Sequence, residues 1–191
     1  MNYQGQEFYV LKFPTENKTF VYPEGGQWFE LSSSDYDVWA AAGRYRGNSY
    51  AYCYGKHLVA DEDGNILELD EDTYTDIGDA IVRVRDLAPL HSGMFGTPGR
   101  SITLTYLKLV METGIGGVAT NPQVMISISC DGGRTWGTEM RGDIGVQGEY
   151  LIPVEFAGIN EQGEVIMIRL SCSGAYHYSF HSAAVDVEIG M

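Results

Sequence analysis

The chain has 191 residues, 26 acidic and 12 basic, with a formal net charge of −14 at pH 7. This charge argues against a protein that wraps nucleic acid, because such binding needs clustered Lys and Arg to displace phosphate counterions, and we expect no sequence-specific nucleic-acid binding. No apolar run approaches the roughly 20 residues of a membrane span and no signal peptide is visible, so we expect a soluble protein without membrane contact.

The composition favours strands over helices. The chain contains 13 Tyr, 7 Phe and 3 Trp among many Val and Ile, together with 24 Gly that suit tight turns. No segment longer than about ten residues has a convincing helical period. We therefore predict an all-β protein, with propeller-type antiparallel strands followed by a β-sandwich.

Residues 1–88 are predicted to form the propeller-type region. Short apolar runs alternate there with tight turns, and Asp63-Gly64-Asn65 is a strong hairpin signal. The predicted strands are 7–13, 19–22, 27–31, 38–45, 49–54, 58–61, 66–69 and 80–85.

Four consecutive strands within this region have the make-up of one propeller blade. They are marked by Trp39 with 43–45, by 50–54, by 57–61 and by 67–70. A propeller needs roughly four to eight blades, and only part of a second blade precedes this one. The region is therefore either a piece of a larger protein or a smaller sheet packed on the second half of the chain.

Residues 89–100 are predicted to be a linker, because Pro and Gly are concentrated there. Residues 101–191 are predicted to form a β-sandwich of longer strands. The predicted strands are 101–112, 123–130, 148–156, 164–173 and 183–189.

One hairpin in this sandwich carries a complete Asp box, Ser-x-Asp-x-Gly-x-Thr-Trp, at Ser129, Asp131, Gly133, Thr135 and Trp136. A short Asp side chain can accept hydrogen bonds from backbone N–H groups just after it, and glycine supplies the positive φ of such a turn. The Trp ring can then cover these bonds. Asp boxes recur in sialidases, but the turn itself occupies the carboxylate, so we interpret this one as a structural staple.

No catalytic, cofactor or metal site is predicted. Residues 61–72 resemble a calcium loop but have Gly at the fourth rather than the sixth position, and a solvated hairpin is the favoured interpretation. His177 and His181 lack a third ligand at metal-site spacing. The three cysteines, Cys53, Cys130 and Cys172, are expected to be free thiols.

Several segments, taken together and in order, resemble the packaged DNA stabilization proteins of short-tailed phages, also called tail hub or nozzle proteins. The matching segments are FYVLKFP (8–14), TFVY (19–22), Trp28, GRYRGN (43–48), YGKHLV (54–59), GNILELD (64–70), TYTD (73–76), METG (111–114), PQVM (122–125), the Asp box and GEY (148–150). Members of this family are far longer than 191 residues, so the chain is similar to the carboxy-terminal part of one.

The resemblance implies a non-enzymatic structural protein of the virion, made in the host cytoplasm. Family members form a ring below the portal and its adaptor, continue the DNA channel and help to retain packaged DNA. The implied partners are the portal–adaptor ring, other tail proteins and further copies of the same chain. An acidic channel wall would let DNA slide without sticking.

Two alternatives remain open from the sequence. One is a carbohydrate-binding or sialidase-like β-module, which the Asp box and the aromatic content would suit. The other is a generic secreted β-domain, against which three free thiols would count.

Overall fold

The computed structural model describes residues 1–3, 5–33, 43–115 and 121–190. The chain divides into two compact units, Met1–Ile81 and Val82–Met191. Within the described ranges almost all regular structure is strand, and all paired strands are antiparallel. The prediction of an all-β chain is confirmed.

The first unit contains small sheets of short strands. Its described strands are β1 (Asn2–Tyr3), β2 (Gln6–Phe13), β3 (Lys18–Pro23), β4 (Phe29–Glu30), β5 (Ser32–Ser33), β6 (Gly43–Arg44), β7 (Ser49–Cys53), β8 (Lys56–Ala60), β9 (Ile66–Glu68), β10 (Thr75–Asp76) and β11 (Asp79–Ala80). The sheets have the orders β1-β2-β3-β4, β5-β6, β7-β8-β9 and β10-β11. The described strands thus form open sheets, without a closed propeller.

The predicted blade differs from the structure in its first strand. β7, β8 and β9 pair as expected, but β6 pairs with β5 and not with β7. The physical reason lies in the backbone bonds of this segment, since Arg44 N donates to Asn17 Oδ1 (3.1 Å) and Tyr45 N donates to Thr19 Oγ1 (3.2 Å). Both acceptors belong to the β2–β3 hairpin, so the segment is held there. Trp39 and the rest of the predicted strand 38–45 before Gly43 lie outside the described residues.

The second unit contains longer strands and a 3₁₀ helix at Ser92–Phe95. Its strands are β12 (Arg83–Asp86), β13 (Leu90–His91), β14 (Ile102–Met111), β15 (Gln123–Ser129), β16 (Met140–Asp143), β17 (Val154–Gly163), β18 (Val165–Cys172) and β19 (Phe180–Ile189). One sheet has the order β12-β18-β15-β16, with β13 also paired to β18, and the other has the order β17-β14-β19.

The two sheets of the second unit enclose one apolar core. Alternate residues of β14, β15 and β18 are almost fully buried, as expected where one strand face points inward. The core residues are Ile102, Leu104, Leu107, Leu109, Val124, Ile126, Ile128, Ile144, Val154, Phe156, Ile166, Ile168, Leu170, Cys172 and Tyr176. This arrangement is a β-sandwich.

The unit boundary lies earlier than the boundary expected at residue 88. β12 overlaps the predicted strand 80–85, yet it pairs with β18 of the sandwich, so the division falls between Ile81 and Val82. The segment 89–100, expected to be a linker, includes β13 and the 3₁₀ helix. Its Pro and Gly residues therefore interrupt strands that already belong to the sandwich.

Strands β16 and β17 also differ from the prediction. β17 begins at Val154, six residues after the predicted start of strand 148–156, because the preceding segment is a loop in which Gly148 N donates to Gly114 O (3.0 Å). Leu151 in this loop has a φ of 69° and is 93% exposed, which is incompatible with an inward-facing strand residue. β16 was absent from the prediction and pairs with β15.

Candidate functional site

The Asp-box residues connect β15 to β16 at one end of the sandwich. Ile126 is opposite Met140 in this hairpin, and Gly137 N donates to Ile128 O at 2.8 Å. The alternating apolar residues of β15 anchor the incoming strand in the core. The turn between the two strands is therefore fixed at its base by packing and by backbone pairing.

The Asp131 carboxylate accepts hydrogen bonds from four groups. Arg134 N and Thr135 N donate to Oδ1, both at 2.9 Å, and Thr135 N also lies 3.0 Å from Oδ2. The Thr135 hydroxyl donates to Oδ2 at 2.7 Å, and the Ser129 hydroxyl donates to Oδ1 at 2.8 Å. The pKa of Asp131 is held well below its ordinary value, chiefly by the Thr135 backbone N–H and then by the Thr135 and Ser129 hydroxyls.

Ser129 extends this network into the turn. Its side chain is buried, and its Oγ accepts from Gly133 N at 2.8 Å while donating to Asp131. A hydroxyl can do both at once, because it has one proton to donate and two lone pairs to accept. Ser129 and Asp131 therefore accept from successive backbone N–H groups of the same turn, from Gly133 to Thr135. This explains the spacing of the Asp-box residues in the sequence.

Gly133 is required by geometry. Its φ is 91°, and a Cβ built there would lie 3.1 Å from Met167 Sδ and 3.8 Å from the Trp136 ring. Gly132 also has a positive φ of 75°, but a Cβ at that position would meet nothing within 4 Å. Backbone conformation restricts both positions, and close packing restricts Gly133 in addition.

The Trp136 ring is covered by a cation from the neighbouring strand. The Arg169 guanidinium lies 4.0 Å from the ring centre, which is a cation–π distance. Arg169 also forms a bidentate ion pair with Asp86, with Nε–Oδ1 at 2.6 Å and Nη2–Oδ2 at 2.8 Å. The hydrogen bonds to Asp86 raise the pKa of Arg169 above its ordinary value. The side chains of Asp86, Arg169 and Trp136 thus connect β12, β18 and the hairpin.

Sequence reasoning did not find Asp86 or Arg169. They are 83 positions apart in the chain, and no spacing rule relates them until β12 is placed beside β18. Tyr176 was missed for the same reason. This buried residue donates through its hydroxyl to Gln123 O (2.6 Å) and accepts from Gln123 N (2.8 Å). Burial is the main cause that raises the pKa of its hydroxyl.

The other candidate sites have local explanations. Asp61 accepts from Asn65 N (2.8 Å) and Asn65 Nδ2 (2.7 Å), so its carboxylate closes the β8–β9 hairpin. His177 Nε2 lies 3.3 Å from Glu112, and His181 is an exposed residue of β19. In the described residues, no three His, Cys, Asp or Glu side chains come close enough to hold a metal ion.

The cysteines are free thiols. Cys172 is buried, while Cys53 and Cys130 are half-buried. Cys130 lies beside the Asp box and donates to Glu161 at 3.5 Å, and burial together with this carboxylate raises the pKa of its thiol.

Within the described ranges, no helix has the length and apolar character needed to cross a membrane.

Comparison with known proteins identifies a family for this chain. Residues 89–188 match the family described as Bacteriophage P22 Gp10, beta-sandwich, which covers more than half of the chain and includes the Asp-box hairpin. No curated protein matches the chain. The resemblance to phage tail hub proteins is therefore confirmed, and so is the β-sandwich. The chain belongs to the Bacteriophage P22 Gp10 β-sandwich family and is a structural protein of the phage tail.

Proposed function

We propose that the chain is part of the hub or nozzle ring below the portal and adaptor, where it continues the DNA channel and helps to retain packaged DNA. The family match over residues 89–188 carries this proposal. In the proposed assembly the chain contacts the portal–adaptor ring, other tail proteins and further copies of itself. It acts without catalysis and becomes part of the virion after synthesis in the host cytoplasm.

The distribution of charge supports contact with sliding DNA. The first unit, residues 1–81, contains fifteen acidic and five basic residues, for a formal charge of −10. Such a surface repels phosphate groups, so a duplex passing beside it would not be held by ion pairs. A channel wall needs this property, because a basic wall would release counterions and bind the genome.

We also propose that Ser129, Asp131, Gly133, Thr135 and Trp136 act in folding and not in substrate binding. The support is that the Asp131 carboxylate already accepts hydrogen bonds from four groups of its own turn. Its depressed pKa makes it a poor proton donor near neutral pH, so the general acid of a sialidase-like reaction is disfavoured at this position.

The assembly proposal is tested by sedimenting the purified chain with a portal–adaptor complex. We expect the chain to sediment with the complex, and mass measurement of the bound material should give a whole ring of copies. An unrelated acidic protein of similar size and charge serves as the control. If neither this chain nor a full-length protein of the family sediments with the complex, the hub assignment is contradicted.

Retention of DNA has a separate test. Particles lacking the protein should lose packaged DNA to added nuclease faster than complete particles, since the channel would end at the adaptor. Equal nuclease resistance with and without the protein would remove the retention role and leave the structural role intact.

A further inference from the structure

One face of the β2–β3 hairpin combines two carboxylates with two tyrosine rings. Tyr9 is opposite Tyr22, and Glu24 N donates to Glu7 O at 2.9 Å, which extends the ladder and sets Glu7 opposite Glu24. Residues two apart on a strand share a face. Glu7 and Tyr9 therefore point to the same side as Tyr22 and Glu24.

A third aromatic ring completes this face. The Trp28 ring packs against both tyrosines, with ring centres 6.2 Å from Tyr9 and 5.2 Å from Tyr22. Nonetheless Tyr9 is 61% exposed and Trp28 is 52% exposed. We call Glu7, Tyr9, Tyr22, Glu24 and Trp28 the acidic–aromatic face.

The two carboxylates of this face, on Glu7 and Glu24, lie opposite each other. Within the residues that the structure describes, neither Glu7 nor Glu24 forms an ion pair, although like charges directly opposite each other destabilise a hairpin. Lys18, the first residue of β3, is already paired with Glu30. Two unpaired carboxylates beside exposed rings are a combination that stability alone does not favour.

A shallow groove runs along the face. Four of its five residues line this groove, and none of the lining residues is a lysine, arginine or histidine. Met1 also lines the groove, and its amino group donates to Phe8 O at 2.9 Å. The side chains that line the groove therefore offer negative charge and aromatic surface to a ligand.

We propose that the acidic–aromatic face docks a basic segment of a partner protein, with Lys or Arg side chains placed over the rings and between the two glutamates. The charge complementarity argues for this occupant. Aromatic faces attract cations, and a carboxylate pair at the same place adds to the attraction. Nucleic acid is repelled by this unit, and a neutral glycan would stack on the rings but leave the opposed carboxylates without a counter-charge. The proposal does not depend on ring assembly or on DNA retention.

The test uses the full chain and a fluorescein-labelled peptide of alternating Arg and Gly, followed by fluorescence anisotropy. We expect binding to the wild-type chain and no binding of the matched Glu-Gly peptide. Glu7→Gln/Glu24→Gln should weaken binding of the Arg-Gly peptide by at least about fivefold, and Trp28→Ala by roughly two- to fivefold, as expected for exposed cation–π contacts.

A matched control separates this face from general attraction to an acidic protein. Glu16→Gln/Asp63→Asn removes the same charge from exposed turns of the same unit and should change the affinity by less than about twofold. Equal weakening by both double variants would overturn the proposal, since the peptide would then be held by net charge alone. Binding of a neutral oligosaccharide that Trp28→Ala abolishes, with no loss of peptide binding, would overturn it in favour of a glycan.

Discussion

The Arg169 guanidinium lies over the Trp136 ring at 4.0 Å, and this contact joins β18 to the turn of the Asp-box hairpin. The same guanidinium is held by Asp86 of β12 through two hydrogen bonds. A planar guanidinium can bind a carboxylate along one edge and cover a ring with its face, which a lysine cannot do. The hairpin is therefore fixed both by its own turn and by side chains of β12 and β18 in the same sheet.

Loss of the Asp86 carboxylate should weaken the connection between β12, β18 and the Asp-box hairpin. Asp86→Asn is expected to lower the free energy of unfolding by about 1 kcal/mol, because the pair is bidentate and only partly exposed. Arg169→Met should cost more, since it removes the ion pair and the cation–π contact together. Urea denaturation measures both. Glu155→Gln, which breaks the exposed Lys108–Glu155 pair, is the control and should have a smaller effect. An Asp86→Asn effect no larger than that of the control would contradict the expected connection.

Asp131→Ala should destabilise the sandwich more than Thr135→Val does. The alanine removes the acceptor for four donor groups, whereas the valine removes the hydroxyl donor and keeps the Thr135 backbone bond. Urea denaturation at neutral pH gives the order of the two variants. A variant Asp131→Ala that unfolds no earlier than the wild-type chain would contradict a staple role.

The Asp131 contribution should also depend on pH. Its pKa is lower in the folded chain than in the unfolded chain, where it is about 3.9. The contribution is therefore fully present above that unfolded value and is lost as the pH falls through the folded value. The stability difference between wild type and Asp131→Ala should be constant from pH 7 to about pH 5 and shrink in stronger acid. A difference that grows on acidification would contradict this sign.

Gly133→Ala should be more destabilising than Gly132→Ala. Both residues have a positive φ, so each alanine is strained by about 1 kcal/mol. Only the Cβ at position 133 would also press against Met167 Sδ. Thermal denaturation of both variants, and of Gly133→Ala/Met167→Ala against Met167→Ala, separates the two causes. The Gly133→Ala effect should fall towards that of Gly132→Ala when Met167 is shortened, and an unchanged effect would exclude the steric contribution.

The longer strands could be predicted because their signal is local. β14, β15 and β18 lie within one or two residues of their predicted bounds, since apolar alternation and turn residues mark them directly. The hydrogen bonds to Asp131 could be predicted from the sequence in the same way, because donor and acceptor are within four positions of each other. Features of this kind depend only on short stretches of sequence.

Pairing between distant segments could not be predicted in this way. The sequence predicts a strand at 80–85, but only the structure places residues 83–86 beside β18. The Asp86–Arg169 pair follows from that placement. The position of Glu7 opposite Glu24 could be predicted in part. A hairpin with the turn 14–17 pairs Phe13 with Lys18, and this pair fixes the register of all the other pairs between β2 and β3.

Tyr176→Phe should destabilise the sandwich although it removes a single oxygen. The hydroxyl bonds both the N–H and the C=O of Gln123 at the start of β15, and the phenylalanine leaves these groups without that partner. The expected loss is about 1–3 kcal/mol. Urea denaturation measures this loss, and Tyr150→Phe, at an exposed tyrosine, is the control that should change little. Equal stability of the two variants would contradict the role of the Tyr176 hydroxyl.

Removal of the opposed charges on the acidic–aromatic face should stabilise the chain while it weakens the proposed partner binding. Glu7→Gln/Glu24→Gln is expected to raise the free energy of unfolding by roughly 0.2–1 kcal/mol at low salt, because like charges directly opposite each other repel. The gain should shrink in high salt, which screens exposed charges. Glu16→Gln/Asp63→Asn is the matched control and should give a smaller gain, since these two residues lie in separate turns. Denaturation at two ionic strengths measures both variants. If Glu7→Gln/Glu24→Gln is less stable than the wild-type chain, the two glutamates stabilise the hairpin. The proposal of an external cation would then lose its energetic argument.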